Sequence, residues 1–265
     1  MEKPIAAQIP ADHAPLISGR FLTSITILVL VLAMLAGGIT FAGNHFGKQL
    51  SLAGHSESTQ VHTITIGQDR LRLTANTLRF ESQRHDGISE RADLHVLWPE
   101  MTGYRSEDRR RFDDVSQPGS LLFMQLTQST MSRDMSGRLE PIYSHLFAGD
   151  PEPGPYGLTL HRLRAETGYQ NEVLYTAVRP GLPDYAIRCI LPSPGVAGSS
   201  GDCQRDVHIG RDLSVLYRFS RELLPQWKLI DKTVDAYVTE RLAPDTLDGP
   251  HSNKKRPTEA TKSSS

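Results

Sequence analysis

The sequence predicts an α+β protein in which a single N-terminal transmembrane helix precedes a largely antiparallel β-sheet domain with one or two packing helices. Three observations predict this class. Residues 21–43 form an uncharged apolar run, short alternating runs rich in β-branched residues follow it between brief turns, and an amphipathic pattern with helical spacing lies near the C-terminus. No strand–helix alternation and no internal repeat appears in the sequence, which disfavours a parallel sheet.

The apolar run, FLTSITILVLVLAMLAGGITFAG, is long enough to cross a membrane. As a helix it would measure about 34 Å, against a hydrocarbon core of about 30 Å. A cleaved signal peptide is the alternative, because Thr40 and Ala42 are small residues at the positions that a signal peptidase reads. We favour an uncleaved anchor, since the run exceeds the usual length of a signal-peptide core and follows a polar stretch at residues 1–20.

Basic residues near the ends of the run indicate its orientation. Lys3 and Arg20 precede it, and Lys48 is the single Lys or Arg between residues 44 and 69. By the positive-inside rule, the N-terminus then lies in the cytoplasm and the bulk of the chain lies in the periplasm or on the extracellular side. We therefore expect a single-pass protein of the inner (cytoplasmic) membrane.

Composition also limits the partners. The 29 Lys and Arg residues and the 30 Asp and Glu residues nearly cancel, which disfavours a nucleic-acid binder, because phosphate binding needs a clustered positive excess. Small residues four apart, Ala33 with Gly37 and Gly38 with Ala42, would let two helices approach closely. A homodimer is thus possible, but nothing else in the sequence supports one.

The chain divides by composition into five expected segments: a cytoplasmic segment at 1–20, the transmembrane helix at 21–43, a polar tether at 44–60, an extracytoplasmic domain at 61–242 and a disordered tail at 243–265. Alternating patterns within the domain predict strands at 61–66, 71–73, 77–80, 94–97, 121–127, 158–164, 172–178, 184–191, 203–209 and 213–219. Short connections between the last five favour an antiparallel meander.

Two helices are predicted within the domain. Residues 136–147 carry an apolar stripe at helical spacing, with Pro141 placed in the first turn. Nearer the C-terminus, Ser220 is a suitable N-cap, and apolar residues between 227 and 242 recur at three- and four-residue steps. We expect this last helix to cover one face of its own sheet rather than to dock on a partner.

The chain has two cysteines, Cys189 and Cys203. An extracytoplasmic domain predicts that they are oxidised, and the Pro-, Gly- and Ser-rich stretch between them is typical of a loop joining two strands. A disulfide at the base of this hairpin would stabilise the fold by about 3 kcal/mol. The spacing is not that of a redox pair or of a zinc site, so we predict a structural disulfide.

The sequence contains no familiar catalytic, phosphate-binding or calcium-binding motif. The sharpest catalytic candidates are two Asp-x-His pairs, Asp93 with His95 and Asp206 with His208. Residues two apart in a strand share a face, so on neighbouring strands the four groups could bind a divalent metal or act as general acid and base. We prefer the simpler interpretation, in which these polar side chains occupy the solvated face of the sheet.

These observations predict a membrane-anchored protein whose extracytoplasmic domain, expected in the periplasm, is non-catalytic and binds a partner protein or an envelope component such as the cell wall. No cofactor and no metal is expected. Two alternatives stay open at this point: a membrane-anchored exported hydrolase that uses the Asp and His groups, and a secreted protein with a cleaved signal peptide.

Overall fold

The computed structural model describes residues 19–51, 54–169, 171–191 and 198–244. The chain forms two compact units that divide between Ala53 and Gly54. The segment expected in the cytoplasm, apart from its last two residues, and the expected tail from residue 245 onward lie outside the described residues. So do residues 192–197 between the two cysteines.

The first unit contains helix α1, Gly19–Ser51. Its window Thr23–Thr40 has a mean hydropathy of 2.2, and among the described residues this is the one helix long and apolar enough to cross a membrane. The hydroxyls of Ser24 and Thr40 donate to the carbonyls of Arg20 and Ala36, at 2.9 and 2.8 Å, one helical turn earlier. These bonds satisfy polar groups that an apolar environment would otherwise leave without partners.

Helix α1 extends beyond the predicted span. The predicted span ends at residue 43 and the predicted tether begins at residue 44, whereas the helix continues to Ser51. Residues 44–51 are polar but contain no proline, and adding a residue to an existing helix costs far less than starting one. The composition therefore identified where the apolar stretch ends, but not where the helix ends.

The second unit is built on an eight-stranded sheet whose neighbouring strands are all antiparallel. In chain order its strands are β4 (Arg91–Leu97), β5 (Leu121–Gln128), β6 (Glu152–Pro153), β7 (Thr159–Arg162), β8 (Glu172–Ala177), β9 (Tyr185–Ile190), β10 (Cys203–Ile209) and β11 (Leu213–Phe219). Their spatial order is β4-β5-β11-β10-β9-β8-β7-β6. The predicted meander over the last five strands is confirmed, and β11 returns to pair with β5.

A smaller sheet contributes to the same core. It contains β1 (Val61–Ile66), β2 (Asp69–Thr74) and β3 (Gly87–Ile88) in the order β2-β1-β3, with β1 and β2 antiparallel. Ile64 and Leu71, on the inward face of this sheet, are at most 1% exposed and belong to the same apolar cluster as the inward side chains of the large sheet. The alternation visible in the sequence produces this inward face.

Helix α3, Trp227–Thr239, covers the inward face of the large sheet. Ser220 accepts a hydrogen bond from the backbone N–H of Glu222 at 3.3 Å, and a 3-10 turn that contains Pro225 precedes the regular helix. Trp227, Ile230 and Val234 are buried in the core. The expectation that this helix packs on its own sheet is confirmed.

Two predicted elements are wrong. Residues 136–147 form irregular turns that end in a 3-10 turn at Tyr143–Leu146, because the backbone hydrogen bonds span three, four and five residues in succession around Pro141. Residues 77–80 form no strand: Leu78 makes an isolated bridge to Leu94, and the chain then turns at Glu81–Gln83. A five-residue helix α2, Arg109–Asp113, was not predicted.

Candidate functional site

The outward face of the large sheet is partly open to solvent. Its outward residues on β5 and β11 include Phe123, Leu216 and Arg218, which are half-buried or exposed. Residues 131–147 cover one side of this face, where Tyr143 and Met135 pack on Leu174 and Ala186 in a second apolar cluster. The uncovered part of this face, over β4, β5 and β11, is a groove of about 560 Å³.

We call this groove the trough and define it by Arg79, Phe80, Asp93, Phe123, Leu216 and Arg218. Its floor follows directly from strand register. Phe123 pairs with Arg218, and Arg218 with Gln204, so an aromatic ring, a guanidinium and an amide stand side by side on β5, β11 and β10. Directly opposite side chains in a sheet lie about 5 Å apart at Cβ, so these groups form one continuous surface.

Arg79 lies at one wall of the trough. Its guanidinium carbon is 5.3 Å from the ring centre of Phe80 and 5.2 Å from that of Phe123. Both distances are within the range of a cation–π interaction, which positions the guanidinium without using its N–H donors. The backbone supports this placement, because the N–H of Arg79 donates to the carbonyl of Asp93 at 2.8 Å.

The carboxylate in the trough is already paired. Asp93 lies 2.8 Å from Arg91 Nε and accepts a hydrogen bond of 2.8 Å from Gln83 Nε2. Gln83 also accepts from the backbone N–H of Asp93 at 2.9 Å. Asp93 is thus held as part of the wall and does not neutralise Arg79 or Arg218.

His95 lies outside the trough and is buried, at 2% exposure. Its ring packs at 5.0 Å from His55 and 5.1 Å from Phe112, and its Nε2 has no hydrogen-bond partner within the described structure. Burial, together with the nearby positive charges of His55, Arg79 and Arg84, lowers the pKa of His95 to about 3. A neutral ring with a lowered pKa is a packing group and not a base near neutral pH.

The structure separates the two Asp-x-His pairs. Each pair keeps to one face of its strand, but β4 and β10 have β5 and β11 between them. Three strand spacings place Asp93 and Asp206 about 14 Å apart across the sheet. Asp206 instead forms an ion pair with Arg138, and His208 lies 2.9 Å from the hydroxyl of Ser129.

The convergence that a hydrolase or metal site would require is therefore not present between these strands. No group of three His, Cys, Asp or Glu side chains that could hold a metal ion occurs in the described part of the chain. The preferred alternative also needs a correction, because His95 faces a buried aromatic cluster rather than solvent. Segment 105–113, with α2, covers this end of the face, which strand alternation alone does not reveal.

A second cavity, of about 720 Å³, lies between α3, the loop at residues 178–183 and β10. At its base, Asp231 accepts hydrogen bonds from Arg179 Nη1, Arg205 Nε and the Tyr217 hydroxyl, at 2.6, 2.9 and 2.7 Å. Arg205 also donates to Ser136 Oγ. Burial raises the pKa of Tyr217 well above its ordinary value, so the phenol stays a neutral donor. The charges of Asp231, Arg179 and Arg205 therefore pair with one another within the domain.

Arg79, Arg218 and Arg205 were not identified from the sequence as candidate functional or structurally important residues. One signal was available for Arg205, because it shares the inward parity of Cys203 and Ile209 on β10 and must therefore have a buried acidic partner. No comparable signal identifies Arg79 and Arg218. Their proximity to Phe123 depends on strand register and on a turn that pairs with β4.

The fold defines an α+β domain with a large antiparallel sheet covered by one helix. No protein-family model matches the chain, and neither does any curated protein. Among solved structures, it is similar to Smlt3025, an immunity protein of the Stenotrophomonas maltophilia type IV secretion system, with 16% identity, a TM-score of 0.50, and coverage of 72% of this chain and 96% of that one. It is also similar to the Neisseria meningitidis iron-regulated outer membrane lipoprotein FrpD, with 10% identity, a TM-score of 0.44, and coverage of 71% and 95%. At these identities the likeness to Smlt3025 concerns the fold alone.

Proposed function

We propose that this chain is a single-pass membrane-anchored protein whose extracytoplasmic, non-catalytic domain binds a partner protein of the cell envelope through the trough. In this proposal, α1 crosses the inner membrane with its N-terminus in the cytoplasm, and the unit that begins at Gly54 lies on the opposite side. The trough, an open sheet face that combines unpaired arginines with exposed aromatic surface, is the observation that carries the proposal.

Three features support the anchor, the extracytoplasmic location and the orientation. The side chains described between residues 23 and 40 are all exposed, which in water would leave an apolar surface without cover. A disulfide joins Cys189 and Cys203, in keeping with an oxidising compartment. The distribution of Lys and Arg around the helix supports the orientation.

The composition of the trough supports partner binding. Arginine and aromatic residues are enriched among the side chains that dominate the energy of protein interfaces. Arg79 and Arg218 are exposed, while Phe123 and Leu216 beside them are half-buried. A shallow surface of this kind suits another protein better than a small substrate, which usually needs an enclosing cavity.

One solved structure of similar fold, Smlt3025, is an immunity protein of a secretion system. That description is compatible with a non-catalytic envelope protein. Because one fold serves many functions, it does not assign a partner or a pathway to this chain.

Topology is tested by fusing a reporter enzyme that is active only outside the cytoplasm after residue 245. The expected result is reporter activity, together with retention of the chain in the membrane after alkali extraction. An inactive fusion would overturn the orientation. Release of a chain shortened near residue 43 would instead support the cleaved, secreted alternative.

Partner binding is tested with a photoreactive amino acid placed in intact cells at Leu216 or at Gln125, an outward residue of β5 that also lines the trough. Arg72, an exposed residue of β2 in the other sheet, provides the control position. The expected result is one crosslinked species that both trough positions share and that the control position lacks. Equal crosslinking from all three positions, or none from the trough, would overturn the proposal.

A further inference from the structure

We propose that the trough binds an extended acidic segment of the partner protein, with carboxylates at two alternate positions and an apolar side chain at the next alternate position. This inference rests on the proposed function and specifies the chemistry of the partner. It starts from the two guanidinium groups of the trough that no acidic side chain neutralises.

Arg218 is exposed on β11, and its side chain has no hydrogen bond or ion pair within the described residues. Other cations on the same sheet face are paired: Arg91 with Asp93, Arg138 with Asp206, and Arg188 with Glu172. An arginine left unpaired among paired neighbours can offer its five N–H donors to an incoming carboxylate.

Arg79 offers the second set of donors. Its contacts with Phe80 and Phe123, at 5.3 and 5.2 Å, hold the guanidinium by its face. Binding a carboxylate then requires less ordering of a long side chain than at a free arginine. With Asp93 already paired, the trough presents two uncompensated positive charges.

The two arginines share Phe123. Arg218 stands directly opposite Phe123 in the sheet, and Arg79 lies over its ring. Alternate side chains of an extended segment point the same way and lie about 7 Å apart, so two carboxylates could reach the two guanidiniums across one ring. An apolar side chain at the next alternate position points the same way and would contact the apolar surface of Phe80 or Leu216.

A protein segment fits these groups better than a polyanion does. Polyanion sites gain affinity from a continuous run of cations, each neutralising one phosphate or sulfate. The trough instead has two free cations beside aromatic and aliphatic side chains, which favours a ligand that presents two carboxylates and an apolar group on one face.

The test uses the full chain in zwitterionic detergent and two rhodamine-labelled peptides, one with the repeat Glu-Ser-Glu-Ser-Leu-Ser and one with Gln-Ser-Gln-Ser-Leu-Ser, so that the two acidic or amide groups and the leucine share one face. Fluorescence anisotropy measures the affinity. We expect the Glu peptide to bind about tenfold more tightly than the Gln peptide, and Arg218→Glu to weaken its binding about tenfold or more. Arg218→Gln, which keeps the side-chain length, should give a smaller loss.

Arg72→Glu is the matched control, since it makes the same change in net charge at an exposed site on β2. It should change the affinity less than about twofold, because Arg72 lies on the other sheet and salt screens exposed charges at a distance. Equal binding of both peptides, or equal losses in Arg218→Glu and Arg72→Glu, would overturn the inference. Phosphatidylglycerol vesicles and the unlabelled Glu peptide are also tested as competitors for the labelled Glu peptide on the native chain. If the vesicles displace the labelled peptide and the unlabelled peptide does not, the acidic-segment inference is overturned in favour of a lipid surface.

The crosslinking experiment separates the two proposals. If Gln125 still crosslinks to the shared species in Arg218→Glu and Arg79→Glu, partner binding stands and the acidic-segment inference fails. If the trough positions crosslink to no shared species, the proposed function fails whatever the peptides do.

Discussion

At the scale of single residues, the Asp231 carboxylate links α3 to the large sheet. It accepts hydrogen bonds from two guanidiniums and one phenol. One of these donors, Arg205, has a side chain that is only 2% exposed. A buried arginine is tolerated only with a charged partner, because desolvation of an unpaired ion costs several kcal/mol. The Asp231 carboxylate is therefore more important to stability than its own partial exposure implies.

We expect Asp231→Asn to lower the free energy of unfolding by about 3 kcal/mol, since it leaves the buried Arg205 without its counter-charge. Urea unfolding of the full chain in detergent, followed by tryptophan fluorescence, checks this. Both tryptophans, Trp98 and Trp227, lie in the domain and are buried. Asp235→Asn, one turn further along α3 at an exposed position, is the control and should change stability by less than about 0.5 kcal/mol. Equal effects would contradict the assignment.

His95 predicts a pH dependence. Its pKa in the folded protein is about 3, below the value of about 6.5 in an unfolded chain, so the unfolded state binds the proton more readily. The contribution to stability is therefore complete above about pH 6.5 and is lost as the pH falls towards 3. The slope should reach about 1.4 kcal/mol for each pH unit within that window.

His95→Leu removes this proton and should give a flatter stability curve than the native chain between pH 6 and pH 4. Urea unfolding at several pH values measures the difference between the two curves. His85→Gln, at an exposed histidine, serves as the control and should leave the native slope in place. Parallel curves for the native chain and His95→Leu would show that His95 does not cause the slope.

The sequence predicted which face of a strand a residue occupies, but it did not predict what surrounds that residue. Alternation correctly placed Asp93 and His95 on one face of β4, and Asp206 and His208 on one face of β10. It could not show that helix α2 and its flanks cover His95, because that cover comes from residues that are distant along the chain. The inward position of Arg205 was readable in the same way, and it signals the buried ion pair with α3.

At the scale of elements, the disulfide was predictable from composition and the expected compartment, and the structure confirms the pairing. Cys189 and Cys203 are directly paired residues of β9 and β10, and both are buried. The double variant Cys189→Ala, Cys203→Ala should lose about 3 kcal/mol of stability, since the unfolded chain is no longer constrained by a loop of about 15 residues.

Urea unfolding of the double variant, compared with the native chain with and without reductant, measures that loss. Reduced native protein should approach the stability of the variant. In the folded oxidised protein neither thiol should react with a maleimide. Reaction of both thiols before reduction would contradict the disulfide in solution.

Elements with strong alternation were predicted to within a few residues, and β1, β10 and β11 have the bounds that the sequence indicated. The stretch at residues 136–147 failed for a physical reason. Its apolar side chains do face a core, but they reach the second apolar cluster from successive turns, and Pro141 lacks the donor that a regular helix needs. An apolar stripe therefore predicted burial correctly and backbone conformation wrongly.

At the scale of the whole domain, strand order was the least predictable feature. Short turns indicated the meander from β7 to β11, because neighbours in sequence become neighbours in space. The pairing of β11 with β5 joins residues that lie about 90 positions apart, and no local pattern encodes it. The trough follows from that pairing, which places Arg218 beside Phe123. The site could therefore not be predicted from the sequence.

The two sheets are joined by a reciprocal contact between their turns. Asp69, at the start of β2, accepts hydrogen bonds from the backbone N–H groups of Arg211 and Asp212, at 3.0 Å each, and Asp212 accepts from the N–H of Gln68 at 2.9 Å. Gly210 allows the approach: its φ is +74°, and an added Cβ would lie 2.5 Å from Asp69 Oδ1. The Asp69 carboxylate thus supplies acceptors for the N–H groups of the turn at Arg211 and Asp212, which water would otherwise supply.

Asp69→Asn should lower the free energy of unfolding by about 2 kcal/mol, because charge-assisted bonds to two backbone donors become weaker and one acceptor oxygen is lost. Asp86→Asn is the control: Asp86 accepts a hydrogen bond of 2.7 Å from the N–H of Thr63, but at an exposed site, where water can replace it. Urea unfolding measures both variants, and amide hydrogen exchange locates the loss. Since the sheets share one core, protection should fall in the large sheet as well as in β1 and β2. Faster exchange restricted to β1 and β2, or equal losses in the two variants, would mean that the sheets are stabilised independently of this contact.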